Sequence, residues 1–363
     1  MMFTHYRKTK ITLITIISLF ALLVGFILWI RAVVPASPNK LNVTNTTPDD
    51  LVYLKQNVKK SRGKILAVVT STDKMGCSDK NTGYELTELA RAYYVFQANG
   101  FDVDIASPQG KKPPAVLDDD DMGQYDYAFL NDPFAQSKVN NSIALEEVDT
   151  LQYSAVYFVG GKGAMFDFPN NTAIQAMLRE YYEANKVIGA VCHGPAALVN
   201  VTLSDGTPMI NNKTVAAFTN EEELLLIPDA KEVFPFLLQN KLVEQGATFD
   251  EGHLYLNNIA HDGNLITGQN PWSVWSVAES MIKQLGYTPV KRPITPEENT
   301  INVLIDYEEH GIEQAKNSIT FLRSIDEYVL DRTIIAIHMF VYALRWELGK
   351  SIDMIRLLSF AKI

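Results

Sequence analysis

Between Lys64 and Gly286 short apolar runs and amphipathic stretches take turns, and that alternation constrains the fold more than any other feature. "KILAVVT" is a β-branched run of the length buried in a parallel sheet. After a Gly-containing loop, "ELTELARAYYVFQANG" repeats apolar residues at helical spacing and closes on Gly100. "FDVDIAS" follows as a second strand, and the same order recurs in "AVYFVGG", "AIQAMLREYYEAN" and "KVIGAV". "PFLLQNKLVEQGA" reads as a further helix, "GNLITG" as a strand and "NPWSVWSVAESMIKQLG" as the closing helix. Strand, helix, strand repeated in this way predicts an α/β fold: an open, mostly parallel sheet sandwiched by helices. Tyr93, Tyr94 and Phe96 are expected in its core, and Trp272 and Trp275 are expected to pack the last helix.

The flanks have a different character. Residues 11–30, "ITLITIISLFALLVGFILWI", carry no charge and follow Arg7, Lys8 and Lys10. As a helix rising about 1.5 Å per residue they would span about 30 Å, so residues 1–33 are read as a single-pass transmembrane anchor. The basic cluster on the short side then puts the α/β domain on the non-cytoplasmic side of the membrane. A signal peptide cleaved near "VPAS" is the alternative. Residues 34–60 are rich in Pro, Ser, Asn, Thr and Lys and read as a flexible linker. The α/β domain is placed at 61–290, and 291–363 form a helical extension with helices near 297–322 and 332–360. Within it "EHGIEQAKNSI" and "ELGKSIDMIRLL" are similar phrases, a hint of a helical-repeat pair that two units are too few to assert.

Charge and cysteine content narrow the chemistry. The formal charge of −10 over 363 residues is spread along the chain, and clustered Lys and Arg are missing, so no nucleic-acid partner is expected. The acidic run from Asp118 to Asp121 lacks the alternate spacing and turn glycine of a calcium loop and reads as solvated. Two cysteines, Cys77 and Cys192, cannot staple a fold of this size. Cys192 ends an apolar strand in "VIGAVCHGPAAL", flanked by His193 and by the small residues Gly189, Ala190 and Gly194. A residue forced into a tight strand-to-helix turn needs such neighbours, as in the nucleophile elbow of hydrolases. The amides of a helix starting near Gly194 would lower the thiol pKa and present an ionised sulfur to solvent. His193 supplies an imidazole for proton transfer, Glu88 on the first helix can reach the same crevice, and the amides of "VGGKG" could hold a developing oxyanion.

These blocks resemble the ThiJ/PfpI family of the class I glutamine amidotransferase-like superfamily, and are most similar to its chaperone and glyoxalase III-like branch. The resemblance is carried by "TGYELTELARAYYVFQANGFDVDIASPQG", "VYFVGGKGAMFDFPNN", "AVCHGPAAL", "VAAFTNEEE" and "NLITGQNPWS", in that order over about residues 64–286. It implies a flavodoxin-like fold, with Cys192 as nucleophile, His193 as its proton-transfer partner and Glu88 as the acid bonded to the sulfur. Glu223 matches the carboxylate that orients the histidine, although Glu221 and Glu222 are adjacent and a shifted loop would exchange them. Gly160, Gly161, Lys162 and Gly194 would line the oxyanion and substrate site, with the amides of Gly161 and His193 as donors. Where many relatives read GGHG this chain reads "GGKG", so Lys162 stands in place of a pocket histidine.

The activity so implied is conversion of methylglyoxal-type dicarbonyls to hydroxy acids without glutathione, or removal of the same groups from amines, with no metal or organic cofactor. The partners expected are a small dicarbonyl substrate, the membrane through the N-terminal helix, and a second copy in a homodimer. Two other readings stay open. The same thiolate could hydrolyse an amide or peptide, or the domain could be a non-enzymatic chaperone or redox sensor whose cysteine oxidises.

Overall fold

The computed structural model describes residues 43–362 apart from 77, 119–121 and 326–329, together with scattered positions between 18 and 32. Asn42–Pro293 form one compact unit, and Ile294–Ile363 belong to a second.

The first unit is built on seven strands: β1 (Lys64–Val68), β2 (Asp102–Ser107), β3 (Ile143–Ala144), β4 (Tyr153–Phe158), β5 (Val187–Val191), β6 (Ile259–Asp262) and β7 (Leu265–Gly268). Their order across the sheet is β6-β7-β5-β4-β1-β2-β3, and every pairing is parallel except the β6–β7 hairpin. The chain winds outward from β1 to β3 and then returns to lay β4 on the other flank of β1. Such a reversal opens a crevice at the carboxyl ends of the strands. Those ends are level, for Val68 pairs with Phe158 and Phe158 with Ala190.

Side chains alternate between two packed cores. Ile65, Ala67, Tyr157 and Val191 join the helices α1 (Leu86–Ala98) and α7 (Val274–Gln284) on one face. Leu66, Val68, Phe158 and Ala190 face the other way, against α4 (Thr172–Glu183) and α6 (Leu238–Glu244). Between these lie α2 (Gln124–Leu130), α3 (Pro133–Asn140) and α5 (Asn220–Leu226). With helices on both faces the central strands are apolar throughout, which is why the sequence shows runs rather than alternation. Gly189 has a close-approach reason: a Cβ there would lie 2.2 Å from Met281 Sδ on α7.

Three expectations need correction. The membrane placement is not upheld: no helix among the described residues is long and apolar enough to cross a membrane. Most of the apolar run 11–30 itself lies outside the described residues. The linker is partly folded, since Pro48–Asp50 form a 3₁₀ turn and Val52–Lys55 a short helix, and Leu51 and Tyr53 are buried in the α1 core. Tyr53 Oη accepts a hydrogen bond from Asn99 Nδ2 at 3.3 Å. A polar average over the segment concealed two apolar anchors.

The C-terminal helices, third, are four rather than two: α8 (Pro296–His310), α9 (Ile312–Ser324), α10 (Arg332–Leu344) and α11 (Leu348–Phe360). Each expected stretch breaks at a left-handed residue, Gly311 at φ 82° and Trp346 at φ 61°. Helical periodicity continues across such a break, so spacing alone does not reveal it.

Candidate active site

Cys192 directly follows β5 with φ of 58°, a left-handed conformation rarely taken by a residue with a side chain. Its backbone is fastened on both sides: its N–H donates to Gly268 O at 2.9 Å, and its carbonyl accepts from Phe218 N–H at 3.0 Å. The neighbouring glycines are needed sterically. A Cβ at Gly160 would lie 2.6 Å from Val191 O and 2.8 Å from Cys192 Cβ, and one at Gly194 would lie 2.3 Å from Phe158 O.

The sulfur stands between two hydrogen-bonded groups. On one side Cys192 Sγ is 3.3 Å from His193 Nδ1, and His193 Nε2 is 2.6 Å from Glu223 Oε2. A carboxylate only accepts, so Glu223 assigns the proton to Nε2 and leaves the Nδ1 lone pair facing the sulfur. The imidazole is also held by Phe218, at 4.7 Å between ring centroids, and Phe234, at 6.2 Å. On the other side Glu88, fully buried, accepts from Gly160 N–H at 2.7 Å and acts electrostatically on the sulfur.

The electrostatics differ from the sequence expectation. Burial pushes the Cys192 thiol well above its ordinary range, the carboxylates of Glu88 and Glu85 add to that push, and Lys162 opposes it. The sulfur is not presented to solvent, since Cys192 is 3% exposed. The segment after it, Gly194–Leu198, is a five-residue 3₁₀ turn containing Pro195 rather than an α-helix. Its dipole is too short to outweigh removal of the charge from water.

Of the three consecutive glutamates, Glu223 reaches His193, Glu221 is exposed, and Glu222 is buried among other partners. Gly161 and His193 keep amides that make no hydrogen bond among the described residues. Cys77 lies outside the described residues. Sequence reasoning missed Glu85, whose amide donates to Gly160 O at 3.2 Å, and the two phenylalanines that hold the imidazole. Neither has a local signature: each reaches the site through pairing between segments distant in the chain.

The fold and the site together define a flavodoxin-like α/β protein with a buried cysteine in a strained elbow at the sheet's carboxyl edge. The chain belongs to the DJ-1/PfpI family, whose model matches residues 80–284. It is 32% identical over 216 residues to a glutathione-independent glyoxalase of Schizosaccharomyces pombe, covering 57% of this chain and 90% of that one. It is 30% identical over 231 residues to glyoxalase 3 of Candida albicans, covering 60% and 97%. Among solved structures, the 24 kDa rapid encystment protein of Francisella tularensis matches with a TM-score of 0.59 and 36% identity over 61% of this chain and 99% of that one. The crystal structure of glyoxalase III from Candida albicans matches with a TM-score of 0.56 and 28% identity over 61% and 97%.

Proposed function

We propose that this protein is a glutathione-independent glyoxalase that converts methylglyoxal-type dicarbonyls to 2-hydroxy acids through Cys192. The observation that carries the reading is the continuous line from Cys192 Sγ to His193 Nδ1 and from His193 Nε2 to Glu223 Oε2, at 3.3 and 2.6 Å. Similarity to curated glyoxalases over nine-tenths or more of their length supports it.

A thiol whose resting pKa is raised does not wait as a free thiolate, so its proton moves to His193 Nδ1 as the sulfur adds to the aldehyde carbon. The imidazolium, balanced by Glu223, then protonates the former aldehyde oxygen to give a hemithioacetal. Neutral Nδ1 takes the hydrogen from C1 as a proton and returns it to C2, while the hydroxyl proton on the C1 oxygen passes to the C2 oxygen; C1 is oxidised, C2 reduced, and a 2-hydroxyacyl thioester is left. Water cleaves the thioester, yielding the hydroxy acid and the free thiol. The amides of Gly161 and His193 and the cation of Lys162 are the groups to steady oxygen charge along this path. No electron acceptor is consumed, for the redox change is internal to the substrate.

Purified full-length protein is expected to convert methylglyoxal to lactate without glutathione, and Cys192→Ala to lose turnover by roughly 10³-fold or more. Equal rates in the two proteins, measured by lactate formed, would refute the assignment. The amidase alternative predicts ammonia from glutamine or cleavage of peptide amides by the same preparation.

A further inference from the structure

Glu222 is a fully buried carboxylate that the proposed reaction does not use. Every group placed on it is a donor. Oε1 accepts from Tyr255 N–H at 2.7 Å, Gln269 Nε2 at 2.9 Å and Asn270 Nδ2 at 3.0 Å, and Oε2 accepts from Thr219 N–H at 3.0 Å. Burial pushes this carboxyl's pKa up, and the donors pull the other way: three on one oxygen exceed what a neutral carbonyl oxygen is suited to hold and favour the charged form.

Its partners come from three separate segments: the cap of α5, the loop around Tyr255, and Gln269–Asn270 just past β7. Tyr255 adds a bond from Oη to the carbonyl of Glu222 at 2.8 Å. The next residue along α5 is Glu223, which holds His193. That helix has seven residues, fewer than can hold a turn together on their own in water. Apart from this cluster the segment is tied to the elbow and sheet through Phe218 N–H to Cys192 O, at 3.0 Å, and Ala216 N–H to Thr267 Oγ1, at 2.8 Å, and the first residue of α5 is tied to α6 through Asn220 N–H to Gln239 Oε1, at 2.6 Å, and Asn220 Nδ2 to Asn240 Oδ1, at 2.7 Å.

We propose that Glu222 is a positioning residue: its charged hub of donors fixes the first turn of α5, so that Glu223 stays within reach of His193 and Nδ1 stays aimed at Cys192. The inference rests on the glyoxalase reading for its turnover readout and on nothing else in that reading.

The test is Glu222→Gln in the full chain, which keeps the shape but turns one oxygen into a donor facing donors. The His193 Nε2 proton, held at 2.6 Å from a carboxylate, is expected as a downfield resonance in the wild-type ¹H spectrum. In the variant that resonance should move upfield or vanish, and kcat should fall about 10- to 100-fold, the range seen when a supporting partner of a reactive group is lost, with KM within about 2-fold. A role confined to stability would lower the melting temperature and leave resonance and kcat in place, which would overturn the proposal. Should Glu222→Gln not fold, Tyr255→Phe removes the hydroxyl bond to the Glu222 main-chain carbonyl, a second tie on the first turn of α5. It should shift the resonance and lower kcat about 2- to 5-fold, and an unchanged Tyr255→Phe protein counts against positioning. If the wild type turns over no dicarbonyl, the glyoxalase reading falls alone and the resonance still decides the role of Glu222.

Discussion

At position 192 the chain accepts a strained backbone in order to aim one atom. A left-handed φ on a residue with a side chain costs on the order of 1–3 kcal/mol, offset here by hydrogen bonds from both the amide and the carbonyl. The sulfur is then enclosed by groups that oppose its ionisation: burial first, then Glu88 and Glu85. Replacing Glu88 by Gln removes the nearer carboxylate, so the pH midpoint for alkylation of Cys192 by iodoacetamide should move to lower pH. A midpoint that stays or rises would mean that Glu88 is protonated beside the sulfur and stabilises the thiolate. Gly160→Ala tests the steric side of the same arrangement. Its methyl would meet Glu88 Oε2 at 2.5 Å and Val191 O at 2.6 Å; the carboxylate can swing away but the backbone carbonyl cannot. A loss of about 1–3 kcal/mol in urea unfolding, with slower alkylation, is expected.

At the scale of elements, the short segment before β1 behaves as part of the core. Tyr53 is fully buried, meets the Tyr125 ring edge-on at 6.4 Å, and bonds Asn99, whose Oδ1 in turn accepts from Val290 N–H at 2.8 Å. Tyr53→Ala should therefore cost about 3–5 kcal/mol, as large-to-small changes in packed cores do. A melting temperature within a degree of wild type would show that the segment merely rests on the surface. This segment also marks where sequence reading ends. Strands β1, β2, β4, β5 and β7 and helices α1, α4, α6 and α7 were legible because period and length are local properties, whereas β3, β6, α2, α3 and α5 are too short to carry a period; Cys192 with His193 stood out because a tight turn needs small neighbours. Glu223 could be told from Glu221 and Glu222 only in three dimensions, since one step along α5 turns a side chain by about 100° and decides whether it faces His193, the donor hub or solvent. Illegible for the same reason were Phe218 and Phe234, whose contact with His193 depends on how separate loops close. The expected low thiol pKa failed on burial, a quantity that no local pattern carries.

Across the whole molecule, the two compact units hold separate polar chemistry, and the C-terminal one contains a titratable group in its core. His338 on α10 is 2% exposed, near the Tyr342 ring, and Tyr342 hydrogen-bonds Glu308, which also pairs with Lys350 at 2.7 Å. Burial lowers the His338 pKa to about 4, with Glu308 pulling weakly the other way. In the unfolded chain this histidine titrates near the ordinary value of about 6.5. Above that pH both states are neutral and the group has no effect on stability. As pH falls from about 6.5 to about 4 the unfolded chain takes up a proton that the folded unit refuses, so stability is lost across that window, by up to roughly 3 kcal/mol. Hydrogen exchange at α10 amides, corrected for the intrinsic effect of pH, should report progressively less protection on descending through this range. His338→Leu, which keeps the core apolar without a titrating ring, should flatten that dependence. An unchanged slope in His338→Leu would assign the acid sensitivity to the Glu308–Lys350 pair, whose carboxylate would have to gain a proton for the pair to break.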